Sequence, residues 1–110
     1  MRLLVCGDRD WDDYPMILET IEILAPNIVI QGEARGADTS AKYAAEDLEI
    51  ECLKFPAHWE RFGRSAGSIR NQQMLDEGKP THVLAFHDRI EKSKGTADML
   101  RRARKAKLCY

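Results

Sequence analysis

Between Val29 and Asp38 the chain reads Val-Ile-Gln-Gly-Glu-Ala-Arg-Gly-Ala-Asp, a short apolar run that ends in a glycine-rich turn and leads into a helix of small residues. Such a junction can hold an anion on its backbone. Gly32 and Gly36 let the turn take tight or positive-φ geometry, and a Gly36-Ala37 helix entrance without bulk leaves the first amides open to a phosphate. Those amides have no intrahelical acceptor, and the positive end of the helix dipole together with Arg35 favours negative charge. The same pattern also serves as an ordinary strand-to-helix connection, and it is neither the dinucleotide fingerprint nor a P-loop. Further polar groups gather in Gly7-Asp8-Arg9-Asp10-Trp11, in the long segment Phe55 to Gly67, and in His87 to Thr96. Arg70 and Asn71 fall in the first turn of a helix, where a guanidinium fork and an amide reach a phosphate or a ribose edge. Trp59 reads either as a base-stacking surface or as a packing anchor beside Phe62.

The elements that must position these groups alternate strictly. Strands are expected over Arg2 to Cys6, Asn27 to Gln31, Ile50 to Lys54 and Thr81 to Phe86, with a short fifth over Lys107 to Tyr110. Helices are expected over Asp13 to Leu24, Ala37 to Leu48, Ala66 to Glu77 and Gly95 to Ala106. In the second, Ala41, Ala44 and Ala45 permit close approach to a sheet. This alternation demands crossover connections and a parallel sheet covered on both faces. The predicted fold is an α/β Rossmann-like three-layer sandwich, a mostly parallel five-stranded sheet in the order 3-2-1-4-5, formed by residues 1–110 as a single domain. Ligands of such sheets bind beyond the carboxyl ends of the strands where the strand order reverses, and every loop at that edge carries Gly, Arg or Asp.

Composition narrows the partners. A formal net charge of −1 over 110 residues gives no global electrostatic case for duplex DNA or a membrane surface. No run approaches the roughly 18 apolar residues of a membrane span, and the chain opens on a strand instead of a signal peptide. Cys6, Cys52 and Cys109 are odd in number and widely spaced. They read as reduced thiols, neither a disulfide nor a zinc framework, and the expected location is cytoplasmic. No metal site is expected.

Five segments together carry a resemblance: Gly7-Asp8-Arg9-Asp10-Trp11, Gly32-x-Ala34-Arg35-Gly36-Ala37-Asp38, Pro56-Ala57-x-Trp59, Ala66-Gly67-x-x-Arg70-Asn71-x-x-Met74 and Gly95-Thr96-Ala97-Asp98-Met99. In this order they resemble the small single-domain, YpsA-related branch of the SLOG superfamily. That superfamily comprises Rossmann-like domains related to the DNA-processing protein Smf and to the Lonely Guy nucleotide phosphoribohydrolases. The resemblance implies binding of a nucleotide or nucleotide-derived ligand, with Arg35, Gly36, Ala37 and Asp38 at phosphate and ribose, and a bacterial or phage setting. The ligand-binding set is then Gly7, Asp8, Arg9, Gly32, Arg35, Gly36, Ala37, Asp38, Arg70, Asn71, Gly95 and Thr96.

The hydrolytic relatives carry Pro-Gly-Gly-x-Gly-Thr-x-x-Glu. Here Gly95-Thr96 is kept, the glycine pair is replaced by the charged stretch His87 to Lys94, and Met99 stands at the glutamate. Asp98 is rotated from that position by about 100° on a helix. His58 stands where the branch has an aspartate. The leading expectation is a binding module that senses or sequesters a nucleotide through a phosphate cradle, without a required cofactor. The alternative is a nucleotide N-glycoside hydrolase or transferase using Asp8, Asp38 or Asp98 as its carboxylate; Glu33 is a further candidate. A third reading is a ligand-free structural subunit or a module that meets single-stranded nucleic acid with Trp59 and the arginines. Trp59, Phe62 and the apolar face of the helix that follows also suggest a homo-oligomer.

Overall fold

The computed structural model describes residues 1–106 and 108. Strand β1 (Arg2–Gly7) lies at the centre of a parallel sheet, between β2 (Ile28–Gln31) and β4 (His82–Phe86), and β3 (Glu51–Lys54) pairs with β2. Successive side chains of a strand point to opposite faces, and β1 divides accordingly. Leu3 and Val5 join one apolar cluster with Val29, Ile17 and Ile21, while Leu4 and Cys6 join a second with Ile30, Val83, Met74 and Met99. Burial on both faces is why the central strands β1 and β2 read as nearly continuous apolar runs rather than as alternating ones, whereas edge strand β3 begins and ends on the exposed Glu51 and Lys54.

Helices α1 (Tyr14–Leu24) and α2 (Ala37–Asp47) cover the first face, and α4 (Ala66–Gly78) and α5 (Gly95–Lys105) cover the second. Asp13 caps α1 by accepting from the Met16 N–H at 3.1 Å, satisfying one of the orphan amides of the first turn. Ala37, Ala41, Ala44 and Ala45 are wholly buried, so α2 lies against the sheet without side-chain bulk between them.

Two features depart from the sequence expectations. The sheet of the described residues has four strands in the order β3-β2-β1-β4, not five. Of the expected strand over Lys107 to Tyr110 only Leu108 lies within the described residues, and its N–H turns back to the Ala103 carbonyl at 3.0 Å, closing the end of α5 instead of extending. The long segment after β3 is also not all loop, because it holds helix α3 (Trp59–Phe62) and a 3-10 turn at Gly63–Ser65. One turn of helix is too short for apolar periodicity to reveal it. No helix among the described residues is long and apolar enough to cross a membrane.

Candidate functional site

Strand order reverses between β1 and β4, and a cleft of about 360 Å³ opens there at the carboxyl ends of the strands. Its walls come from the end of β1 (Cys6 to Asp10), the loop before α2 (Ala34, Arg35, Asp38), α4 (Arg70, Asn71, Met74), and His87 with Ser93 to Thr96. A second hollow of about 420 Å³ adjoins it, sharing Arg9, Ala34, Arg35 and Arg70 and walled beyond them by Gly32, Glu33, Pro56, Ala57 and Trp59.

The glycine-rich loop does form a nest of amides, but the protein fills it with its own carboxylate. Asp38, only 5% exposed, accepts from the Gly32 N–H at 3.1 Å and from the Ala34 N–H. Burial pushes its carboxyl up to about 6, against the opposing pull of Arg70, the two amides and Arg9. The entrance of α2 is closed as well. The Ala37 N–H donates to the Asp8 carbonyl at 3.0 Å, and a Cβ on Gly36, whose φ is +79°, would stand 2.2 Å from that same oxygen. The expectation that Gly36 and Ala37 leave space for a phosphate is therefore corrected: the chain after β1 occupies that space, and glycine is needed there for close backbone packing.

Cationic groups stand on the other side of the cleft. Arg70, with Asn71 in the second turn of α4 and not the expected first, crosses to donate Nη1–H to the Gly32 carbonyl at 2.7 Å and Nε–H to the Asn71 Oδ1 at 3.1 Å. A Cβ at Gly32 would lie 2.3 Å from that guanidinium, so glycine here makes room for an arginine rather than for a ligand. Burial pulls the Arg70 pKa down and Asp38 holds it up. Arg9 lies over the Trp59 ring at 5.8 Å. Arg35 instead pairs with Asp10 at 3.1 Å on the rim, both side chains at least three-quarters exposed.

Asn71 is fully engaged within the protein. Besides Arg70, its Nδ2 donates to the Gly95 carbonyl at 3.2 Å and to Asp98 Oδ2 at 3.0 Å, which ties α4 to the start of α5. It positions the site instead of presenting an amide to it. Asp98 lies outside the cleft, held by Asn71 and by Arg102 Nε at 2.8 Å. Burial would raise its carboxyl, but the hydrogen bonds from Arg102 and Asn71 outweigh burial and hold it below the ordinary carboxylate range. Met99 is completely buried in the second core. Thr96 is also buried, its N–H donating to Ser93 Oγ at 3.0 Å. Asp8 turns its carboxylate onto the Asp10 N–H at 2.9 Å, while Gly7 sits where a Cβ would strike the Phe86 carbonyl at 2.2 Å.

Sequence reasoning placed the loop from His87 to Thr96 at this edge but singled out only Gly95 and Thr96. His87, Ser93 and Lys94 also line the cleft. His87 directly follows β4, and its address at the switch point was the available signal. Its Nδ1 accepts from the Arg89 N–H at 2.9 Å. Cys6 forms part of the floor, where burial pushes its thiol up to about 12. Among the described residues no three His, Cys, Asp or Glu side chains gather as a metal-binding group.

Residues 1–62 match the model of the YspA, cpYpsA-related SLOG family. These residues carry β1, the loop after it, the Asp38-filled nest, α2, β3 and Trp59. The Gene 61 protein of Mycobacterium phage D29 is 31% identical over 115 residues, a span of 96% of this chain and 90% of that protein. No solved structure matches significantly. The family match begins with the strand that builds the cleft and the relative extends the likeness through α4 and α5, so the chain belongs to the YspA, cpYpsA-related SLOG family.

Proposed function

We propose that the chain binds a nucleotide or nucleotide-derived ligand, needing no separate cofactor, with the phosphate at the seam between Arg9 and Arg70 and the base towards Trp59. The observation that carries this reading is the pair of hollows that meet at those two arginines. Arg35 is neutralised by Asp10, whereas Arg9 and Arg70 form no salt bridge with any described carboxylate. Arg70 is held in place by its bonds to Gly32 and Asn71 and feels the Asp38 charge without forming a salt bridge to it, so its remaining N–H groups are ready phosphate donors. Lys94 adds a further positive group on the opposite wall, and the half-exposed Trp59 ring offers a stacking face. The free thiols of Cys6 and Cys52 fit a cytoplasmic setting.

Native mass spectrometry of purified protein, followed by calorimetry with AMP, GMP, deoxynucleoside monophosphates, ADP-ribose and cyclic nucleotides, tests this. At least one ligand should bind, and Arg70→Ala should weaken it by tenfold or more, the equivalent of about 1.4 kcal/mol. A protein that retains no ligand mass and binds none of the panel overturns the reading.

One observation favours a second reading, the N-glycoside hydrolase. Asp38 lies against the cleft with its carboxyl raised to about 6, in the range where a general acid works. Asp8 is tied to its own turn and Asp98 faces away. Chromatography after long incubation with the same panel separates the two readings, because multiple-turnover release of free base that disappears in Asp38→Asn marks the hydrolase.

Self-association belongs to the same proposal. Trp59, Ile69 and Phe62, at 49%, 42% and 36% exposed, come from the neighbouring helices α3 and α4 beside the second hollow. Burying them against a second copy would remove apolar surface from water. Light scattering that returns a particle of 12.6 kDa at micromolar concentration counts against it.

A further inference from the structure

Asp38 is the most deeply buried carboxylate lining the cleft, and it already occupies the Gly32 and Ala34 amides. Those are the donors that an external anion would use at a loop of this kind. A ligand anion is therefore left with the guanidinium side of the cleft, Arg70 from α4 and Arg9 from the loop after β1. The same two cations pull Asp38 towards its charged form, against the larger opposite effect of burial. The third ionisable group facing it is the Cys6 thiol from β1, which is uncharged at neutral pH, and Asp8, Asp10, Arg35, His87 and Lys94 complete the charged and titratable lining of the same cleft.

An anion arriving at Arg9 and Arg70 acts on Asp38 twice. It competes for the cations that stabilise the carboxylate, and it places a like charge nearby in a partly desolvated site. Both effects favour the neutral acid. Resting on the reading that this cleft binds an anion, we propose that binding is coupled to the uptake of one proton by Asp38, so that the site takes its ligand as anion plus proton. Burial has already brought the Asp38 carboxyl up to about 6, so a small additional push loads the proton near neutrality. Linkage then makes affinity fall as pH rises, by up to about tenfold per unit between the free and bound titration midpoints.

Sulfate alone is the probe, because it keeps one charge state from about pH 4 to 8.5, the window in which a shifted carboxyl titrates. The Asp38 carboxyl carbon is followed by NMR across that window in chloride and in sulfate at matched ionic strength, and the Arg70 Nε signal reports occupancy. The expected result is a midpoint near 6 in chloride that rises by about half a unit or more in sulfate. Sulfate affinity should weaken by roughly twofold or more between about pH 6 and 7.5, and Asp38→Asn should bind without that dependence. If sulfate moves the Arg70 signal while the Asp38 midpoint stays fixed, the coupling is wrong and the anion site stands. If the Arg70 signal does not respond at any pH, the anion site fails and the coupling falls with it.

Discussion

Gly36 and Gly63 share one backbone conformation in different surroundings, φ +79° and ψ −125° against φ +57° and ψ −131°. Side chains avoid this region, so alanine at either position carries a conformational cost of roughly 1–3 kcal/mol. At Gly36 the added Cβ would also lie 2.2 Å from the Asp8 oxygen and 2.5 Å from the Arg9 carbonyl, whereas at Gly63 it meets nothing within 4 Å. Displacing packed backbone adds about 1–3 kcal/mol at overpacked sites, which puts Gly36→Ala at roughly 2–6 kcal/mol. That is a large share of a total stability of about 5–15 kcal/mol. Gly95, without a positive φ and with open space around it, is the third member of the series; Gly95→Ala should be neutral or stabilise by about 0.4–1 kcal/mol. Urea unfolding followed by circular dichroism should order the variants Gly95→Ala, Gly63→Ala, Gly36→Ala from most to least stable, with each kcal/mol lowering Tm by about 4 °C or more. If Gly36→Ala costs no more than Gly63→Ala, the Asp8–Arg9 backbone does not crowd Gly36 and the entrance of α2 is open to a ligand after all. A bulky residue at Gly36 is for the same reason a poor probe of ligand binding, because it is expected to unfold the protein first.

The Asp38 carboxyl is raised from 3.8 to about 6, so folding favours its protonated form. The stability it contributes is fully present below about pH 4 and is lost as pH rises through 6. Asp38→Asn should flatten this by about 3 kcal/mol, and parallel stability–pH curves for the two proteins would contradict it. Arg35→Ala removes a solvent-exposed ion pair and should change stability by less than about 1 kcal/mol while leaving ligand affinity within about twofold. Arg70→Ala should lower both in calorimetry and urea titration, and equal effects of the two substitutions would refute the division between rim and seam. Cys6, with its thiol pushed up to about 12, should resist a disulfide reagent at about pH 8 in the native protein and react in urea; native-state labelling of Cys6 by mass mapping would show that the cleft floor opens.

The sequence alone determined the order of the four described strands and the four principal helices, and the sheet edge at which the cleft opens. The central strands β1 and β2, covered on both faces, are written as nearly unbroken apolar runs, and α2 turns Ala37, Ala41, Ala44 and Ala45 to the sheet, where small side chains allow close approach. The four described strands and the four principal helices accordingly fall within a residue or so of where the sequence put them. The switch-point rule placed the cleft, and the ordered motifs identified the superfamily. Which groups face the cleft was a different question. The stretch from Gly32 to Asp38 reads the same whether its amides hold a phosphate or Asp38, and Arg70, which packs over Gly32, comes from 38 residues further on. Arg35 looks like an anion ligand until Asp10, 25 residues away, is found beside it. Asn71 and Asp98, separated by 27 residues, satisfy one another, so neither stands as the free group its motif suggested. A donor or acceptor used inside the fold is not available to a ligand, and burial makes that internal pairing obligatory. Only the tertiary structure decides which polar groups of a motif are already taken.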